Sequence, residues 1–131
     1  MPTYDNPIHG VYNFPNMDFG AAAGATVHTI PGPAGMKGRL VDIAVGVTEV
    51  FETVTTLAHV QVGTSADADA YGKLNIPTGA ADNTVVNKAD DTDAIISADI
   101  PADTAVHVTL TEGTGAGLTG QGYVSVYIDW Y

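Results

Sequence analysis

The amino-acid sequence predicts an all-β protein, an antiparallel sandwich or barrel of seven or eight short strands. Stretches of period-two alternation recur about every ten to fifteen residues. Turn formers separate them, with glycine and proline together making 22 of the 131 residues. The alternating stretches are rich in Val, Ile, Thr and Tyr, which suit a pleated, half-buried surface. No internal repeat of solenoid or propeller type is present.

The strongest strand is the last, residues 122–131. Val124, Val126, Ile128 and Trp130 share one parity, and Tyr123, Ser125, Tyr127, Asp129 and Tyr131 the other. The even positions are expected in the core. In chain order, residues 1–25 come first, with Pro2, Pro7 and Pro15 interrupting them. Proline breaks regular elements, yet Tyr4, Ile8, Tyr12, Phe14 and Phe19 are too apolar for a solvated tail. The segment therefore reads as an extended arm lying against an apolar surface, with residues 26–131 as the sandwich domain. A short helix over Ala21–Ala23 is allowed by the small residues there, though too brief to stand alone in water.

Residues 26–30 read as a weak strand, and Pro31, Gly32, Pro33 and Gly35 form a turn. In residues 39–48, Val41, Ile43, Val45 and Val47 fall on one face. Residues 49–56 read as strand or loop, because Thr53, Val54, Thr55 and Thr56 lose rotamer freedom in a helix. Residues 57–63 place Ala58, Val60 and Val62 inward and His59 and Gln61 outward. A polar loop over 64–70 leads to a short strand at 71–76, closed by Pro77. Residues 78–93 read as a long acidic loop with one short strand at 84–86, and 94–100 as a strand closed by Pro101. In 104–111, Val106, Val108 and Leu110 oppose His107, Thr109 and Thr111. A glycine-rich connector, 112–122, joins that strand to the terminal one, and the two are expected to pair antiparallel.

Charge and composition exclude several functions. Fifteen acids against Lys37, Arg39, Lys73 and Lys88 give a formal net charge of −11. Phosphate backbones and anionic lipid repel such a chain, so neither nucleic acid nor membrane is an expected partner. There is no cysteine, which removes disulfides, thiolate metal sites and Cys nucleophiles and weakly fits a reducing compartment. No apolar run reaches the ~20 residues of a membrane span. No basic region followed by an apolar stretch marks a secretory signal.

Catalytic motifs are also missing. The glycine-rich connector has neither the Lys-Ser/Thr ending nor the following helix of a phosphate loop. His9, His28, His59 and His107 lack metal-ligand spacing, although His59 and His107 would share a sheet face if their strands were neighbours. None of Ser65, Ser97 and Ser125 sits in a nucleophile elbow. Asp67 and Asp69, and Asp90, Asp91 and Asp93, lack EF-hand spacing and read as solvated loop acids. The expectation is a non-enzymatic protein without a cofactor.

Four runs carry a resemblance. They are Gly38-Arg-Leu-Val-Asp-Ile-Ala-Val, Val60-Gln-Val-Gly-Thr-Ser-Ala-Asp-Ala-Asp-Ala-Tyr-Gly-Lys-Leu, Ile100-Pro-Ala-Asp-Thr-Ala-Val-His-Val-Thr-Leu and Thr119-Gly-Gln-Gly-Tyr-Val-Ser-Val-Tyr-Ile-Asp-Trp-Tyr. In strand and turn pattern, residues 26–131 resemble the small jelly-roll decoration, or cement, proteins on capsids of tailed bacteriophages. The resemblance implies a β-sandwich of jelly-roll type on the outer capsid surface, binding the major capsid protein and stabilising contacts between its subunits. It implies a homo-oligomer, a trimer ahead of a dimer, and an N-terminal arm that clamps its neighbours. Tyr4, Ile8, Tyr12, Phe14 and Phe19 are then the expected partner-binding anchors. Two alternatives stand beside it. One is a carbohydrate-binding jelly-roll module of a phage fibre or lectin type, using Tyr71, Tyr123 or Tyr127. The other is a cupin-like metal enzyme, which needs two or three histidines and a carboxylate converging on one metal.

Overall fold

The computed structural model describes residues 8–20 and 24–131. Among the described residues ten strands form two antiparallel sheets packed face to face, and none is helical. The strands are β1 (Ile8–Asn13), β2 (Met17–Asp18), β3 (Ala25–Ile30), β4 (Gly38–Glu49), β5 (His59–Gly63), β6 (Gly72–Asn75), β7 (Val85–Val86), β8 (Asp99–Ile100), β9 (Val106–Thr111) and β10 (Gln121–Trp130). The first sheet runs β1-β10-β4-β7, with β2 also on β10 and β8 also on β4. The second runs β3-β9-β5-β6. The possible helix at Ala21–Ala23 and the anchor Tyr4 lie outside the described residues.

β10 pairs along its whole length with β4, and on its other side with β1 and β2. Its even residues Val124, Val126, Ile128 and Trp130 are buried, as the alternation predicts. They meet Val106, Val108 and Leu110 from β9, Val60 and Val62 from β5 and Leu74 from β6 in one apolar core. No charged or polar residue is buried among the described residues. Trp130 is 1% exposed, and its Nε1 donates to the Tyr12 hydroxyl at 2.8 Å. A side chain at Gly32 or Gly38 would strike its indole ring, so both positions must stay bare.

Three expectations change. β9 and β10 do not pair with each other: β9 lies between β3 and β5, and β10 lies in the opposite sheet. Each strand has one apolar face, and the two faces bury each other across the sandwich rather than side by side. The glycine-rich connector is the crossing between the sheets. It packs on the loop after β4: Thr56 bridges Thr114, Thr119 N donates to Glu52 O, and the Phe51 ring lies against Gly120. Gly115 faces the Thr53 carbonyl at a distance no Cβ would allow, and Thr53 itself sits at a φ of 60°. This close approach, rather than flexibility, accounts for those glycines.

Second, Val41 does not share the inward face. β10 residues Tyr127 and Ile128 pair with Asp42 and Leu40, which skips Val41. The β-bulge switches parity, so Leu40, at 2% exposed, takes the core position that alternation gave to Val41. Third, residues 94–100 are a strand only at β8. Residues 94–97 instead lie along β6, where Lys73 N donates to Ala94 O and Ile96 N to Tyr71 O. The segment passes from one sheet edge to the other and closes that flank.

The arm is also not separate from the sandwich over its described part. β1 and β2 are strands of the first sheet, and Phe19 is 0% exposed in the core. Pro15 follows β1 rather than interrupting it, which an edge strand tolerates at its ends.

Ile128→Ala should cost about 2–5 kcal/mol through lost burial plus a residual cavity. Denaturant unfolding measures this, and a wild-type midpoint would misplace β10. Gly120→Ala should cost about 1–3 kcal/mol, because its methyl group overlaps the Phe51 ring. The same unfolding experiment reads it.

Candidate functional site

The five anchor positions separate in the structure. Tyr4 is outside the described residues. Phe19 belongs to the chain's own core, where its ring packs 5.6 Å from that of Phe51, and this takes it off any docking surface. Tyr12 and Phe14 pack against the core from the edge. Tyr12 is tied to Trp130, and Phe14 stacks on His28 with ring centroids 4.7 Å apart. Ile8 is 54% exposed at the start of β1. Of the described anchors, only Ile8 therefore presents most of its side chain to solvent.

The outer face of the first sheet carries apolar surface that alternation alone did not single out. Paired residues of antiparallel strands point to the same side. Since Val124 and Val126 point inward, Tyr123, Ser125 and Tyr127 point outward. Tyr127 faces Val11 on β1, Ser125 faces Ala44 on β4, and Tyr123 faces Gly46, which faces Val85 on β7. Val11, Tyr123 and Val85 are each more than half exposed. Tyr123 is 53% exposed opposite Gly46, whereas Tyr127 is half-buried opposite Asp42 on β4. Tyr71, the other aromatic considered for ligand stacking, is buried at the edge of the core, and burial raises its pKa.

Below this patch runs a row of alternating charge. His9 faces Asp129, Asp129 faces Arg39, and Arg39 faces Asp99 across four strands. His9 Nδ1 lies 2.6 Å from Asp129 Oδ1, with the histidine 74% exposed. Such a solvated pair contributes little to stability.

The outer face of the second sheet is different in chemistry. β3, β5, β6 and β9 contain no Asp or Glu. His59, Gln61 and Lys73 project there beside Thr109, Thr111 and His107. The strands of His59 and His107 are indeed neighbours, but their partners are Thr111 and Gly63, so the two histidines share a face four positions apart and do not meet. The acidic loops are occupied with turns. Asp90 Oδ2 accepts from Asn87 N at 2.9 Å, and Asp91 Oδ2 from Asn75 N at 3.0 Å. Among the described residues no three His, Cys, Asp or Glu side chains gather as a metal site requires. No described helix is long and apolar enough to cross a membrane.

Comparison with protein-family models and with curated proteins gives no match for this chain.

His59 makes one pH prediction. Its pKa is lowered from the ordinary value of 6.5, first by burial and then by the Lys73 ammonium, against smaller raising effects from the Leu57 carbonyl, Gln61 and Asp69. The folded chain thus takes up this proton less readily than the unfolded chain. No stability is lost above the unfolded pKa. It falls as pH drops through 6.5 toward the lower folded value. Thermal melts of wild type and His59→Gln between pH 7.5 and 5 (about the range in which histidine titrates) should diverge, with wild type falling faster. Parallel curves would refute the lowered pKa.

Proposed function

We propose that this is a non-catalytic structural protein that binds the outer surface of a virus capsid and stabilises contacts between major capsid subunits. The supporting observation is the exposed apolar surface of Val11, Tyr123 and Val85 on the first sheet, with Tyr127 beside Asp42, in a chain of net charge −11. Exposed apolar patches rimmed by polar residues mark contact surfaces, and tyrosine is favoured at their centres. The strand order adds support. The chain crosses repeatedly between β1-β10-β4-β7 and β3-β9-β5-β6, as a jelly roll of the kind the resemblance implies also does. The partner is then the major capsid protein, the location the outside of the virion, and the working form a homo-oligomer.

A second reading rests on the same tyrosines. Exposed Tyr123, and Tyr127 beside the Asp42 carboxylate, suit stacking and hydrogen bonding against sugar rings, as in a carbohydrate-binding module of a fibre or lectin type. No observation favours the cupin-like enzyme, since His59 and His107 face outward and apart.

Electron microscopy of virus particles incubated with the protein should show added density at fixed capsid positions. Tyr123→Asp with Val85→Asp should abolish that density, while the melting temperature stays within a few degrees, because both side chains are exposed. Glycan binding that the same pair of changes abolishes, without capsid density, would favour the carbohydrate reading.

A further inference from the structure

The two flanks of the sandwich are finished differently. At one flank, β6 is covered by the segment before β8: Lys73 N donates to Ala94 O and Asn75 N to Asp91 Oδ2. Beside it, β7 and β8 are only two residues each. That flank offers no long free edge. At the other flank lie β1 and β3, facing each other across the seam where Phe14 stacks on His28. Each is six residues long, and each pairs on one side only among the described residues.

Sheets normally blunt such edges with charge, proline, a bulge or a covering loop. β1 reads Ile-His-Gly-Val-Tyr-Asn and β3 Ala-Thr-Val-His-Thr-Ile, with no Lys, Arg, Asp, Glu or Pro in either. Their registers against β10 and β9 run without a shift, so neither is bulged. Ile8, Val11 and Val27, all more than half exposed, lie on these two strands. Next to the Phe14 plug the seam opens into a cleft of about 330 Å³, lined by Met17, Thr26, His28 and Leu110 and by two carboxylates, Asp18 and Glu112.

We propose that this flank is a self-association surface on which a second copy of the chain docks edge to edge across a two-fold axis. β1 then pairs with β1, and β3 with β3, of the other copy. A two-fold axis normal to the sheets reverses strand direction, so both pairings are antiparallel. One axis serves both, because packed sheets lie about 10 Å apart with strands roughly aligned. An extended peptide from elsewhere fills one edge and leaves the other open. A second sandwich offers two edges at the right spacing and covers the cleft between them. Charge favours this place too. Copies carrying −11 repel, and β1 and β3 themselves hold no carboxylate, the nearest being Asp129 on β10, Asp18 on β2 where the β1 edge continues, and Glu112 after β9. This specifies the self-association within the proposed function but not the capsid attachment, and it predicts two copies where the resemblance favours three.

The test uses the purified full chain alone, so its result is independent of any capsid. Sedimentation equilibrium should show a concentration-dependent monomer–dimer equilibrium, as small and weak interfaces give. Hydrogen exchange at high against low protein concentration should protect residues 8–13 and 25–30 selectively. Val11→Lys with Val27→Lys places like charges along the paired edges and should weaken the dimer about tenfold or more. Val85→Lys, at the opposite flank, should leave it unchanged. A monomer at all concentrations overturns the proposal. So does a three-copy mass, or a dimer indifferent to the edge lysines with no protection of β1 and β3. Capture of a foreign extended peptide by a chain that stays monomeric overturns the choice of a second copy.

Discussion

The structure depends on β10 having both of its sides paired and one of its faces buried. Ten residues of backbone are hydrogen-bonded into the first sheet, flanked by β1 and β4. Its inward side chains reach the second sheet at Val108 and Leu110, so the strand belongs at once to the ladder and to the core. Trp130 at its end sets further conditions. Its ring occupies the space over Gly32 and Gly38, and its N–H is satisfied by Tyr12. A buried indole without a partner for that N–H would be destabilising, so β1 is held in place partly by a polar requirement.

The second constraint is the crossing between β9 and β10. A connector that passes from one sheet to the other must run over the end of the sandwich, where the loop after β4 also lies. Glycine lets the two backbones approach within hydrogen-bonding distance, and Phe51 and Phe19 fill the space beneath. The same packing draws the residue after β2 into the core. The N-terminal segment is therefore anchored at Phe19 and edge-paired at β1, and Pro15 falls in the gap between β1 and β2.

Charge is distributed in a way that bears on contacts. The carboxylates sit in loops and on the first sheet, at Asp18, Asp42, Glu49, Asp99 and Asp129. The second sheet has none. A chain of high negative charge thus keeps extended surfaces from which like-charge repulsion is reduced. The tyrosine patch and the β1–β3 flank together carry five of the eight exposed large apolar side chains among the described residues, Ile8, Val11, Val27, Val85 and Tyr123.

Much of this was legible in the residues alone. Period-two alternation identified β10, β9, β5 and the inward residues Val106, Val108, Leu110, Val124, Val126 and Ile128, because strand periodicity and burial are one pattern. Proline and glycine marked the turns for the same local reason. Neighbour relations in space were not legible. The partner of β9, the bulge that exchanges Val41 for Leu40, and the crossing of residues 94–100 between edges depend on which strands lie side by side. The arm shows the limit most clearly: composition identified its apolar side chains, but composition does not say whose apolar surface they cover. The candidate patch was hidden for the same reason, since Val11, Tyr127, Tyr123 and Val85 come from three strands and only sheet register places them together. The sequence by itself determined strands such as β5, β9 and β10 and their apolar faces, since both follow from local backbone geometry. Only the tertiary structure decided the pairing, since pairing is settled by long-range burial.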